Sequence, residues 1–394
     1  MKKTLKFICL LLALCLVCPL LCLYPLAGEE QTEEVQKVEN DSVLELDCLS
    51  AVLMEQSTGK ILYQKDKDVP LPPASVTKIM TLLLIFEEID RGNIKSDDKI
   101  QVSENAASMG GSQVFLEPGE IMTVDDLLKS VIVSSANDAA VALAENIAGS
   151  VESFVSRMNA RAAELGMNNS HFENVTGLDD GTVNHVLSAG DIAIMSRELL
   201  KHEKIFDYTT IWMDTIRDGQ FGLTNTNRLI RFYSGANGLK TGSTSKAKFC
   251  ISATAKRDNM QLIAVIMGSP TRDVRNECAK KLLDYGFANY SVANYPAEAG
   301  ENVKVLSGVK NEVTTKINGN SFLVGKGLDK KIERQTVYPE SVKAPVKEGE
   351  KIGEAVYTLN GELLGKNEII AAETVEKITF FGLLAKLFGK YLNF

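Results

Sequence analysis

Histidine is scarce in this sequence: His171, His185 and His202 are the only three in 394 residues. That scarcity argues against a metal centre built from several imidazoles. A Ser-His-Asp hydrolase is disfavoured too, because no G-x-S-x-G nucleophile elbow is present. Zinc-protease, Walker and dinucleotide fingerprints are also missing. Of the seven cysteines, Cys9, Cys15, Cys18 and Cys22 fall in the first 22 positions. Cys48, Cys250 and Cys278 remain, an odd number without C-x-x-C spacing, which indicates neither a disulfide framework nor a zinc site. They read as buried thiols. Positive charge is in deficit, with 43 Lys+Arg against 51 Asp+Glu and a net charge of −8. Affinity for a phosphate backbone rests on clustered cations, so nucleic acid is not the expected partner. What is present is an ordinary globular balance of 45% hydrophobic and 24% charged residues, with apolar residues piled at the two ends.

Lys2 and Lys3 precede an uncharged apolar run from Phe7 to Ala27, followed by acidic chain from Glu29. This order is that of a secretory signal, residues 1–27, cleaved near Ala27. The run is long for a signal, which leaves an uncleaved N-terminal anchor as the alternative. Residues 28–41 are polar and read as a linker. At the other end, residues 376–394 form an amphipathic pattern on a helical wheel of roughly 100° per residue. Lys386 and Lys390 share one narrow arc with Gly382, Gly389 and Asn393, and Phe380, Phe381, Leu384, Leu387, Phe388 and Tyr391 lie opposite. Such a helix suits the plane of a membrane interface, while packing on the protein's own domain is the alternative.

Between the ends, Ala51–Met54 and Lys60–Tyr63 read as strands around a Gly59 turn. Pro70, Pro72 and Pro73 stop the chain before a helix spanning Ser75–Glu88. Thr123, with Asp126 three residues on, opens another helix. Further helices are expected at Asn137–Ile147, around Phe154, Met158 and Ala162, and at Arg275–Phe287, with strands at Ala247–Ala255 and Gln261–Gly268. The pattern predicts an α/β (α+β) domain, residues 42–288, with helices around a mostly antiparallel sheet. After Asn289 helical periodicity ends. Short alternating runs such as Val303/Val305 and Phe322/Val324 predict a small all-β domain at residues 289–375.

Ser-x-x-Lys occurs at Ser57, Ser75, Ser96, Ser243, Ser245 and Ser307, so by itself it selects nothing. Geometry selects. A serine nucleophile needs a base within hydrogen-bond reach, and positions i and i+3 meet on a helix. Gly59 puts Ser57 in a turn, Ser243 and Ser245 start a strand, and Ser96 and Ser307 sit in polar connections. Only Ser75-Val-Thr-Lys78 runs into a strong helix. A lysine base must be neutral, through desolvation or a second cation. The apolar helix supplies the first and Lys240 in Gly238-Leu-Lys-Thr-Gly242 the second, with Gly242 removing a side chain that would block a ligand on the strand. Ser134-Ser135-Ala136-Asn137, at a break between helices, adds a hydroxyl to relay a proton and an amide to orient a peptide bond.

These three elements resemble the penicillin-binding proteins and serine β-lactamases, whose motif set is S-x-x-K, S-x-N and K-T-G. The chain closely resembles one branch, the low-molecular-weight D-alanyl-D-alanine carboxypeptidases. This likeness is carried also by Pro72-Pro-Ala-Ser-Val-Thr-Lys78, Asn174-Val-Thr-Gly-Leu178 and Leu282-Leu-Asp-Tyr-Gly-Phe287. The resemblance implies Ser75 as nucleophile, Lys78 as its base, and Ser135 as proton shuttle to the leaving D-Ala. It implies Asn137 holding the substrate amide, Lys240 and Thr241 binding the terminal carboxylate, and an oxyanion hole from the N–H groups of Ser75 and Ser243. Arg228 matches a family arginine near that carboxylate. The implied substrate is a peptidoglycan stem pentapeptide, with β-lactams as covalent inhibitors, no cofactor and no metal. The implied location is the outer face of the bacterial cytoplasmic membrane, held through the C-terminal helix. Two positions depart from the family: Ala136 stands where relatives carry Gly or Asp, and Lys248 where they usually carry Gly. Arg275 reads as a structural ion-pair partner and His171 and His185 as loop residues. A β-lactamase would need a water-activating Glu-x-x-x-Asn, and Glu164–Asn168 reads as a helix end. A non-enzymatic wall-binding scaffold would not need all three motifs.

Overall fold

The structure, a computed structural model, describes residues 44–392. The expected signal and linker, residues 1–27 and 28–41, lie outside the described residues. Five strands build the central sheet: β1 (Ser50–Glu55), β2 (Ile61–Lys65), β3 (Ala236–Thr244), β4 (Lys248–Arg257) and β5 (Met260–Ser269). All neighbours are antiparallel, in the order β2-β1-β5-β4-β3. Strands from the two ends of the domain therefore meet in the middle, and β3 is left at an edge.

Period-two alternation sorts the central strands between two cores. Val52, Met54, Ile263, Val265 and Met267 face one apolar cluster, while Ala51, Leu53, Leu262, Ala264 and Ile266 face the other. Both faces of β5 are covered, which explains why its sequence is a nearly unbroken apolar run rather than an alternating one. One cluster is capped by α6 (Arg272–Asn289), which contributes Cys278, Leu282, Leu283 and Phe287. The other is filled by α1 (Lys78–Asp90), α2 (Val124–Val133), α3 (Asn137–Ala148), α4 (Val151–Glu164) and α5 (Ala189–Leu199). Every residue of α1 from Lys78 to Phe86 is buried. A helix apolar on all sides is an interior helix, so Lys78 is carried into the core by its neighbours. Thr123 caps α2, its hydroxyl accepting the Asp126 N–H at 3.1 Å.

Two expectations need correction. Ser75 is not in the α-helix but in a 3₁₀ turn, Ala74–Thr77, that precedes α1. Pro72 and Pro73 and a left-handed Ala74 (φ 48°) delay the helix by one turn. Ser243 does not begin a strand. It lies near the end of β3, and Ser245 is in the hairpin between β3 and β4.

From Tyr290 to Ala371 the regular elements are strands joined by turns, apart from one short 3₁₀ turn at Asp329–Lys331. Glu298–Ala299, Thr315–Ile317, Glu362–Ala371, Lys351–Leu359 and Ile332–Val337 make one five-stranded sheet. Smaller sheets flank it, over apolar clusters centred on Val313 and Val375 and on Tyr357 and Ile369. The last element is α7 (Phe380–Leu392).

Candidate active site

The nucleophile turn is held from two directions. Lys78 Nζ donates to Ser75 Oγ at 3.1 Å, to Asn137 Oδ1 at 2.5 Å and to the Thr176 carbonyl at 2.8 Å. The ammonium thus has an acceptor from each of three segments distant in sequence. Asn137 is the first residue of α3, and its other amide atom donates to the Gly110 carbonyl at 2.7 Å, which fixes the side-chain plane. Ser135 sits two residues ahead of α3 in a left-handed conformation (φ 63°). For a non-glycine residue that costs about 1–2 kcal/mol, and such strain persists where surrounding structure imposes it. Here Lys240 Nζ donates to Ser135 Oγ at 2.8 Å and to the Thr241 carbonyl at 2.9 Å. Ala136, the first departure from the family pattern, is fully buried with a negative φ of −58°, so it needs no glycine.

The loop carrying Asn174-Val-Thr-Gly-Leu178 explains its own sequence. Asn174 Oδ1 accepts the N–H groups of Thr176 and Gly177 at 3.1 and 2.6 Å, and its amide donates to the Leu178 carbonyl. This turn brings the Thr176 carbonyl to Lys78 and presses Gly177 against Ala74. A Cβ on Gly177 would lie 1.8 Å from the Ala74 carbonyl oxygen, and its φ is +82°. On the opposite side β3 abuts the same turn. A Cβ on Gly242 would stand 2.9 Å from the Pro73 carbonyl and from the Ser75 nitrogen. The protein's own nucleophile turn therefore requires this glycine.

Burial pushes the Lys78 ammonium well below the usual lysine range, and the nearby Lys240 charge lowers it further, against a smaller opposing pull from Asp138. Burial and then the Arg275 charge lower Lys240 to about 7. Both shifts favour the neutral form of the lysine, which a base requires.

A cleft of about 640 Å³ opens over Ser75, with Ser135, Thr241, Gly242, Ser243 and Arg228 in its lining. Ser75, Lys78, Ser135, Asn137, Lys240 and Thr241 are brought together, Thr241 being held by its hydroxyl donating to Thr226 Oγ1 at 2.8 Å. Ser243 and Arg228 are on the exposed rim. No residue among those described pairs with the Arg228 guanidinium. Sequence reasoning missed Thr226, Trp212, Phe232 and Arg272 in the lining, and nothing in their spacing marks them. It also misread Arg275. That guanidinium is buried in the cleft wall with no carboxylate partner among the described residues, donating to Asn276 Oδ1 at 2.9 Å and to the Cys250 carbonyl. His185 lies in a loop as expected, but a buried one, with Nε2 2.8 Å from Thr77 Oγ1 and Nδ1 accepting the Glu173 N–H. Glu164 is an exposed helix end paired with Arg161, away from the cleft.

The second departure has a simple cause. Lys248 adopts φ +57° at the end of the β3–β4 hairpin, with its side chain exposed. This is a left-handed position, where glycine is the default residue. Lysine there strains one backbone position without entering the strand packing.

A half-buried serine, an adjacent desolvated lysine and a second lysine on an edge strand make up a serine acyl-transfer centre. Residues 34–271 match the family model described as D-alanyl-D-alanine carboxypeptidase, and residues 290–377 match that of the penicillin-binding protein 5 C-terminal domain. The chain is 44% identical to the D-alanyl-D-alanine carboxypeptidase DacF of Bacillus subtilis over 90% of its own length and 92% of the relative's. The solved penicillin-binding protein 5 of Haemophilus influenzae superposes with a TM-score of 0.72 at 31% identity, over 85% of this chain and 99% of that one. Penicillin-binding protein D2 of Listeria monocytogenes, solved in an ampicillin-bound form, aligns at 29% identity and a TM-score of 0.55, over 62% of this chain and 98% of that one. The chain belongs to the D-alanyl-D-alanine carboxypeptidase family, serine hydrolases that work through an acyl-enzyme.

Proposed function

We propose that this enzyme removes the terminal D-alanine from peptidoglycan stem pentapeptides through an acyl-enzyme on Ser75. The observation that carries the assignment is the buried Lys78 Nζ, 3.1 Å from Ser75 Oγ and held well below the usual lysine range. Neutral Lys78 takes the hydroxyl proton as Ser75 Oγ attacks the carbonyl of the penultimate D-alanine. The oxygen that gains charge is met by the N–H groups of Ser75 and Ser243, donors fixed before the reaction begins. Ser135 passes a proton to the leaving nitrogen, with Lys240 beside it. Asn137 both orients Lys78 and holds the substrate amide. Lys240, Thr241 and Arg228 bind the terminal carboxylate. The outer edge of β3 has no strand partner among the described residues, so an extended peptide adds to it as a further strand. Water then releases the shortened peptide.

Residues 42–288 form the catalytic domain in this reading, residues 289–375 a β domain and residues 376–394 the anchor. Among the described residues no helix is long and apolar enough to cross a membrane. On α7, Phe380, Phe381 and Phe388 are 71%, 80% and 62% exposed. Lys386 turns the other way, donating to Asn311 Oδ1 at 2.6 Å. An apolar face left outward suits an interfacial helix, which holds an exported enzyme on the outer membrane face beside its substrate. Flotation with lipid vesicles tests this, and a chain ending at residue 376 that floats equally well refutes it.

The activity is tested with labelled penicillin and with a pentapeptide ending in D-Ala-D-Ala. Persistent labelling, lost in Ser75→Ala, together with D-alanine release supports the assignment. Rapid penicillin turnover would make the protein a β-lactamase, and neither signal would make it a wall-binding scaffold.

A further inference from the structure

Cys48 and Cys278 belong to no part of the catalytic site, yet the fold brings them together. Cys48 lies in the segment that precedes β1, and Cys278 on α6. Both are free and buried in the apolar cluster on the face of the sheet away from the nucleophile. Cys278 Sγ donates to the carbonyl of Asp47, the residue adjoining Cys48, at 3.8 Å across 231 positions of chain. Further bonds pin the same segment to the surrounding fold. Lys281 donates to the Glu45 carbonyl at 3.1 Å, Ser269 to the Asp47 carbonyl at 3.1 Å and Lys65 to the Cys48 carbonyl at 2.8 Å. The third free thiol, Cys250, faces the other cluster, where its thiol reaches the Ala247 carbonyl at 3.4 Å.

We propose that Cys48 and Cys278 are a redox modification site, forming a reversible disulfide that staples the segment ahead of β1 to α6. Their mutual contact is the largest influence on the acidity of each thiol. It drives Cys48 upward and Cys278 down to about 7, with Lys281 favouring the Cys278 thiolate. Cys278 is thus the attacking sulfur, since the thiolate is the nucleophile. The oxidant is a low-molecular-weight disulfide. The Cys278 thiolate, having given its proton to solvent, attacks one sulfur of that disulfide and expels one thiolate. The Cys48 sulfur then loses its proton, attacks Cys278 Sγ and expels the second. Two protein thiols are oxidised by two electrons, and the disulfide is reduced to two thiols. The bond closes a very long loop, the case in which a cross-link restricts the unfolded chain most.

The test oxidises the purified full chain with oxidised glutathione, alkylates it after unfolding, and maps its peptides by mass spectrometry. A Cys48 peptide joined to a Cys278 peptide, two hydrogens lighter than the pair, is expected, with Cys250 alkylated. The unfolding midpoint should rise by ~5–10 °C and return on reduction. Cys48→Ser and Cys278→Ser should each abolish that rise while keeping the native far-UV spectrum. Recovery of the two peptides unlinked, alkylated or carrying glutathione, from a chain with a native spectrum would overturn the proposal.

Discussion

Gly177→Ala is the sharpest probe of how the nucleophile turn is held. The alanine Cβ would fall 1.8 Å from the Ala74 carbonyl oxygen, 2.3 Å from its carbon and 2.7 Å from Thr77 Oγ1. Ordinary contact begins near 3.4 Å, so the turn or the loop must retreat by more than 1 Å. Two costs add. A left-handed φ of +82° for alanine costs about 1–2 kcal/mol, and forcing an extra carbon into packed surroundings costs about 1–3 kcal/mol. A total loss of about 2–5 kcal/mol in stability is expected, or ~2–4 °C in unfolding midpoint per kcal/mol. Catalysis should suffer separately, because Ala74 adjoins Ser75 and the Thr176 carbonyl holds Lys78. A displacement of about 1 Å at a reacting group costs on the order of 100-fold. The assay is the second-order rate of covalent labelling by fluorescent penicillin, read beside thermal unfolding. Gly181→Ala is the control: its φ is +74°, but no atom lies within 4 Å of the added carbon. It should show the backbone strain alone and label at the wild-type rate. A Gly177→Ala protein that labels as fast as Gly181→Ala would refute this account of the turn.

Lys248→Gly should stabilise the chain by about 0.5–1 kcal/mol by relieving a left-handed lysine, with labelling unchanged; a loss of stability in urea unfolding contradicts that reading. His185 is pushed down to about 4 by burial, so between pH 6.5 and 4 the unfolded chain binds a proton that the folded chain does not. Stability should therefore fall as pH drops below about 6.5 and level off near 4, by up to about 3 kcal/mol. His185→Gln should flatten this part of the curve, and an unchanged slope would exclude His185 as its source. Lys240 near 7 places an alkaline limb at or above pH 7 in kcat/KM for an anionic substrate, since the lysine loses its charge there. A kcat/KM profile flat from pH 6 to 10 would count against Lys240 as a carboxylate ligand. Asn137→Ala removes an acceptor from a buried ammonium and should slow acylation by at least 100-fold, with Ser75 still present; near-normal labelling would show that Thr176 alone positions Lys78.

Local spacing made much of the protein legible. Ser75 and Lys78 lie three residues apart at the start of an apolar helix, so their contact follows from neighbouring residues. Thr123 as a cap and the short alternating strands after Asn289 are equally local. The position of Ser75 was misjudged by one turn, because helix periodicity does not show how far two prolines delay the first α-helical residue. Arg275 was misread, and the burial of the loop residue His185 went unseen, because contacts that hold each come from elsewhere in the chain. Arg275 meets the Cys250 carbonyl and His185 meets Thr77, 108 positions away.

The sequence by itself determined which serine could have a lysine within reach, which segments are apolar enough to bury, and that imidazole and metal chemistry were poorly supplied. Only the tertiary structure decided what surrounds those groups. Asn137 reaches Lys78 across 59 positions and Ser135 reaches Lys240 across 105. Gly177 and Gly242 are glycines because two distant segments press on one turn, and Cys48 and Cys278 share one face of the sheet while Cys250 faces the other. The physical reason is the reach of the interactions. Helix periodicity and caps act over three or four residues, whereas desolvation, steric exclusion and charge coupling depend on what the sheet order β2-β1-β5-β4-β3 places side by side.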